Sequence, residues 1–198
     1  MAGGVGASTF AANLAWELCN LPDTEGVRVC VIDLDLQFGT IATYLDLPRK
    51  EAVLEILTDA GAVDADSLMK SMLTFNDKLH VFTAPADMLP LEMVTAEDIG
   101  KILDTAQVNF DFVIVDLHPS YSQLNQAIFE RADRILVPVT PDVPALRAAV
   151  QLRDLAVTEA YEDSFGEALS YFPRLPPAAG TPSGDTHGAT RYLRLLEQ

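Results

Sequence analysis

Apolar and polar positions along the chain fall into two alternating patterns. Val27 to Asp33, Phe112 to Asp116 and Arg134 to Val139 are short, largely apolar runs rich in β-branched residues, and a shorter one lies at Leu79 to Thr83. Runs of this kind read as strands buried on both faces of a parallel sheet. Between them, apolar residues recur at helical spacing over Phe10 to Leu21, Glu51 to Thr58, Ala65 to Leu73, Thr95 to Val108, Tyr121 to Arg131 and Pro144 to Ala160. The alternation predicts an α/β fold, a doubly wound, mostly parallel sheet with helices on both faces and ligand sites at the carboxyl ends of its strands. This rhythm covers residues 1–160, expected to form one layered domain, and then stops. Phe172 to Gly188 carries Pro173, Pro176, Pro177 and Pro182 among glycines and serines, so residues 161–198 are expected to form an irregular, flexible tail with a short helical pattern at its end.

The first candidate chemistry lies at the start. Gly3, Gly4 and Gly6, within Ala2 to Thr9, let the backbone turn tightly and aim successive N–H groups inward, directly ahead of a helix. The spacing approaches the phosphate-cradling pattern G-x-x-x-x-G-K-[ST]; Ser8 supplies its hydroxyl, and Ala7 stands where its lysine belongs. Such a turn normally hangs between a strand and a helix, yet only Met1 and Ala2 precede these glycines, so the sheet is expected to lack its usual first strand. A glycine-rich turn is also compatible with a plain loop, and the acids decide between the two. Asp33 and Asp35, in Asp33-Leu34-Asp35-Leu36-Gln37-Phe38-Gly39, leave a strand end on the same expected edge, and Asp116 ends a second buried run. A metal–triphosphate site needs an acid for magnesium or its waters and a polar group to orient an attacking water. Asp116 and Asp33 suit the metal shell with Ser8, and Asp35 suits the water. His118 and Thr140-Pro141-Asp142 open further loops on that edge, where ordinary turn roles compete with ligand contacts.

Composition narrows the partners. Twenty-nine acidic against 13 basic side chains give a net charge of -16, which repels nucleic-acid phosphates and anionic lipid, and no basic patch offsets it. No apolar run approaches the roughly 20 residues of a membrane span. Cys19 and Cys30 lack metal-ligand spacing and read as thiols of a reducing, cytoplasmic compartment.

Four passages together resemble the MinD/ParA group of deviant phosphate-loop ATPases, and within it the pilus-assembly branch typified by CpaE/TadZ. They are Gly-Gly-Val-Gly-Ala-Ser-Thr at 3–9 running into Ala-Ala-Asn-Leu-Ala at 11–15, Val-Ile-Asp-Leu-Asp-Leu-Gln-Phe-Gly at 31–39, Phe-Asp-Phe-Val-Ile-Val-Asp-Leu at 110–117, and Pro-Val-Thr-Pro-Asp-Val-Pro-Ala-Leu-Arg at 138–147. The resemblance covers about residues 1–155 and implies a P-loop NTPase fold binding ATP and Mg2+. It implies that Gly3, Gly4, Val5, Gly6, Ala7, Ser8 and Thr9 cradle the phosphates and that Ser8, Asp33 and Asp116 serve the metal, with Asp35 and Asp33 catalytic. It further implies a nucleotide-dependent homodimer working with pilus and secretion assembly proteins at a cell pole, peripheral to the inner membrane, with no nucleic acid. The group's two phosphate-loop lysines fall on Ala2 and Ala7. Each lost transition-state contact typically costs about a hundredfold to a thousandfold in rate, so hydrolysis is expected to be slow or absent while binding persists. Two alternatives stand beside this expectation: an active ATPase positioning other cargo, and a dinucleotide-binding oxidoreductase, whose fingerprint Gly4, Gly6 and Asp33 loosely imitate.

Overall fold

The computed structural model describes residues 6–22, 26–58, 63–118, 122–139, 143 and 147–152. The order is α1 (Ala7–Leu18), β1 (Val29–Asp33), α2 (Ile41–Tyr44), α3 (Ala52–Thr58), α4 (Ala65–Ser71), β2 (Leu73–Phe75), β3 (Leu79–Phe82), α5 (Ala96–Asn109), β4 (Phe112–Asp116) and α6 (Gln123–Phe129). Among the described residues the strands form one sheet in the order β2-β3-β1-β4. β1 is parallel to β3 and to β4, and β2 is antiparallel to β3. The sheet is therefore mixed, with a parallel core.

Every residue of β1 is buried, as its unbroken apolar run requires of a central strand. Its alternate side chains serve two cores. Cys30 and Ile32 pack with Phe82, Ile99, Ile102 and Ala106 on the α5 side, while Val29 and Val31 pack with Ala11, Ala15, Leu18 and Ile41 on the α1 side. Helices on both faces confirm the doubly wound arrangement. Cys30 is buried and Cys19 half-buried, and both are free thiols. Local chemistry fixes several helix starts. Thr95 and Asp98 close a reciprocal capping box at α5, and Asp64 and Ser67 do the same at α4.

Three expectations shift. α1 begins at Ala7 rather than Phe10, so Ser8 and Thr9 lie in its first turn. The expected helix to Leu73 ends at Ser71, because Leu73–Phe75 pairs with β3 through a hairpin whose Asn76 and Asp77 have φ of 47° and 57°. That primed turn is the signal that the apolar periodicity hid. Finally, Arg134 to Val139 is not a strand: Ile135 is buried beside Phe129, but the segment joins no ladder. An apolar run becomes a strand only where an edge is within reach. This one also carries Pro138, which has no N–H to donate. Residues 147–152 are helical, and the expected tail falls outside the described residues.

Candidate functional site

The carboxyl ends of β1 and β4 lie side by side, with Asp33 opposite Asp116 in the register. Both acids are buried, at 0% and 4% relative exposure, and the Leu34 N–H donates to the Asp116 carbonyl at 2.9 Å to extend the ladder past them. Two carboxylates so placed must be satisfied or neutralised, because an unpaired buried charge is costly.

Asp33 is satisfied by its own chain. Oδ1 accepts the Asp35 N–H at 3.2 Å and Oδ2 accepts the Ile41 N–H at 3.1 Å, so the carboxylate ties down the loop 34–41 at both ends. A side chain at Gly39 would meet Ala84 and would stand 2.6 Å from Asp33 Oδ2, which is why glycine is needed there. Arg49 holds the loop from outside, donating to the Gly39 and Pro85 carbonyls at 2.7 Å each. Burial, opposed by these amides and reinforced by the charges of Asp116 and Asp35, pushes the Asp33 carboxyl up to about 7.

Asp116 is finished differently. It accepts a hydrogen bond from the Ser8 hydroxyl, which together with the Leu117 N–H partly offsets the upward push of burial and of the Asp35 charge on its pKa. Its Oδ2, though buried, has no hydrogen-bond partner among the described groups. Ser8 in turn lies in the first turn of α1, a helix whose N-cap, Gly6 at φ 83°, offers no side-chain acceptor. No acidic residue occupies that turn. The Gly6 carbonyl accepts the Phe10 N–H at 2.8 Å, and the amides ahead of Phe10, as at any helix start, have no intrahelical acceptor. An uncapped helix start with an orphaned carboxylate oxygen next to its hydroxyl suits an anion carrying a divalent cation.

The remaining predicted residues divide. Asp35 Oδ1 accepts the Phe38 N–H at 3.0 Å, so Asp35 is built into the turn that follows β1. With Gln37, Leu117, His118, Ser122 and Asn125 it lines one cleft on the carboxyl edge. His118 and Phe38 lie ring to ring at 6.3 Å across it, joining the loops after β1 and β4. Among the described residues no group of three His, Cys, Asp or Glu side chains is placed to hold a metal ion. Gly3, Gly4, Val5, Thr140, Pro141 and Asp142 lie outside the described residues. Sequence reasoning missed the roles of Gly39 and Arg49 in holding the loop, and Asn125, which is buried and donates to the His118 carbonyl at 3.4 Å. The only sequence signal for these was Gly39 within the quoted acidic passage.

Comparison with known proteins gives this geometry a setting. The AAA domain family model matches residues 1–164. The septum site-determining protein MinD of Thermotoga maritima is 28% identical over 163 residues, covering 81% of this chain and 57% of that protein. The sporulation initiation inhibitor protein Soj of Bacillus subtilis is 28% identical over 159 residues, 76% of this chain and 59% of Soj. The chain thus spans less than two thirds of the length of these relatives. Among solved structures, a ParA family ATPase from Chlorobium tepidum superposes with a TM-score of 0.69 at 26% identity, covering 79% of this chain and 65% of that one. MinD from Pyrococcus horikoshii, complexed with Mg-ADP, gives 0.65 at 15% identity over 80% and 62%, a likeness of fold alone.

Proposed function

We propose that this chain, which belongs to the AAA-domain family of MinD/ParA-type P-loop ATPases, binds ATP with magnesium at the start of α1 and acts as a nucleotide-gated positioning factor. The observation carrying this reading is the buried Oδ2 of Asp116, without a partner among the described groups, beside the Ser8 hydroxyl at a helix start with no side-chain cap. In this reading the first-turn amides of α1 hold phosphate oxygens, and Ser8 and Asp116 hold the cation. Bound magnesium neutralises charge on the nucleotide's terminal phosphates. Asp33, with both oxygens on main-chain amides, serves the metal shell indirectly by fixing the loop that carries Asp35. Asp35 orients water.

The finer reading is a localisation factor for Flp/Tad-type pilus assembly, dimerising with nucleotide and acting at a cell pole with pilus and secretion proteins. The passage Asp33 to Gly39 supports that branch. Hydrolysis is weak or absent, because Ala2 and Ala7 stand at the positions of both lysines. No helix among the described residues is long and apolar enough to cross a membrane, so the membrane association proposed here is peripheral.

Calorimetric titration with ATP, ADP and NAD, each with and without magnesium, tests the nucleotide class. Magnesium-enhanced binding of ATP and ADP with none of NAD supports the proposal, and preference for NAD overturns it. Phosphate release by the purified chain separates the two ATPase readings. Turnover well above background would point to an active ATPase positioning other cargo.

A further inference from the structure

Arg49 and Lys50 are neighbours in sequence, and each donates to two main-chain carbonyls, yet they hold different parts of the molecule. Lys50 Nζ reaches the Lys70 and Met72 carbonyls at 2.8 and 2.6 Å, where α4 passes into β2. Arg49 reaches the Pro85 carbonyl through Nη1 and the Gly39 carbonyl through Nη2, at 2.7 Å each. One guanidinium therefore spans the loops that leave β3 and β1. A planar fork with its nitrogens fixed relative to each other sets the spacing of its two acceptors, which a single ammonium on a flexible stem does not.

That spacing matters because of what the loop 34–41 carries. Its first residue is tied toward β4, by the Leu34 N–H on the Asp116 carbonyl. The two oxygens of Asp33 take the amides of Asp35 and Ile41, which closes the loop on the strand it leaves. Asp35 Oδ1 takes the Phe38 N–H, so residues 35–38 form one turn with the Asp35 carboxylate built into it. Gly39 follows directly. Among the described residues, Arg49 supplies the hydrogen bonds that join this turn to the β3 side, where Ala84 is buried and leaves no room for a side chain at Gly39. The charge of Asp35 is felt at the Asp116 carboxyl. Small changes in how the turn leans across the sheet therefore change the field at that carboxylate.

We propose that Arg49 is a positioning residue of the nucleotide–metal site: by clamping the Gly39 carbonyl to the Pro85 carbonyl it fixes the lean of the 35–38 turn and holds the Asp35 carboxylate beside Asp116. The inference rests on the magnesium-nucleotide reading given above and extends it to a side chain outside the strand ends and the glycine turn. It also makes the loop after β3 the anchor against which Asp35 is set. Arg49 acts here through Asp35 and touches neither the nucleotide nor the cation.

A double-mutant cycle read by calorimetric titration of ATP with magnesium tests it. Arg49→Ala should weaken binding about tenfold, the order expected for losing charge-assisted hydrogen bonds. Lys50→Ala removes the same number of bonds from the adjacent residue and should leave binding within about twofold. In an Asp35→Asn background, where the carboxylate charge is already gone and the amide oxygen still accepts the Phe38 N–H, adding Arg49→Ala should cost less than about twofold. Arg49→Lys, which keeps the charge and loses the fork, should fall between the parent and Arg49→Ala, and it carries the cycle if the alanine variant fails to fold. An Arg49 effect of equal size in the parent and in Asp35→Asn would assign the residue to general structure and overturn the proposal. So would a Lys50→Ala loss equal to that of Arg49→Ala, or unchanged binding in both Arg49 variants. A parent chain that binds no nucleotide overturns the magnesium-nucleotide reading and this proposal with it, whereas a parent that binds alongside unaffected Arg49 variants overturns this proposal alone.

Discussion

Asp33 and Asp116 end neighbouring strands at the same level of the sheet, and both are buried, yet the chain treats them in opposite ways. It surrounds Asp33 with its own amides and a glycine that leaves no spare room. It gives Asp116 the Ser8 hydroxyl and the Leu117 N–H and, among the described groups, leaves one oxygen without a partner, beside a helix start with no side-chain cap. Burial of an acid at a strand end is therefore an incomplete sign of function. What separates a structural carboxylate from one kept for a ligand is whether the protein has used up its lone pairs. In the proposed reading Asp33 shapes the site and Asp116 is the part of it that binds.

The sharpest way to break the contrast is Asp116→Asn, which keeps the shape and removes the charge. Magnesium-dependent nucleotide affinity should fall about a hundredfold by calorimetry, near 2.7 kcal/mol, while urea denaturation shows stability unchanged or raised, since a buried unpaired charge has gone. The mirror variant, Asp33→Ala, leaves the Asp35 and Ile41 amides without acceptors and should cost about 2 kcal/mol of unfolding free energy. Gly39→Ala drives a methyl against the Asp33 carboxylate and should cost about 1–2 kcal/mol in the same denaturation experiment. Ser8→Ala should weaken magnesium-dependent binding about tenfold, close to 1.4 kcal/mol, with stability little changed.

A separate prediction concerns pH. Asp33 titrates near 3.8 when unfolded and at about 7 when folded. Between those values the folded chain holds a proton that the unfolded chain has released. This contribution to stability is therefore full below about pH 4 and lost as pH rises to about 7, by at most about 1.4 kcal/mol per unit for one group. Asp33→Asn should flatten that slope in urea titrations across the window. A residual slope of the same sign is expected from Asp116, whose carboxyl is raised as well.

Much of the framework was legible in the residues, because β1 and β4 are unbroken apolar runs closed by an acid, and such runs have few other places to go. β4 falls on the predicted residues, Phe112–Asp116. The run at Arg134 to Val139 has the same local look and forms no strand, since pairing depends on a partner edge that periodicity does not reveal. The residues Ser8, Asp33 and Asp116 could be singled out from the sequence, but not how the fold would divide them. Ser8 and Asp116 are far apart in sequence, and nothing in the letters says that Asp33 would be consumed by Asp35 and Ile41. Gly39 stood in the motif, but its reason, the approach of the loop to a carboxylate, exists only in the fold.

Manganese substituted for magnesium, with ADP bound, reads the metal's position directly through paramagnetic broadening of amide resonances. The signals of Ser8 and Leu117, on either side of the Asp116 carboxylate, should broaden most, and the selective broadening should vanish in Asp116→Asn. Broadening centred on residues away from α1 and the end of β4, or undiminished by Asp116→Asn, would contradict the assignment of this carboxylate to the metal.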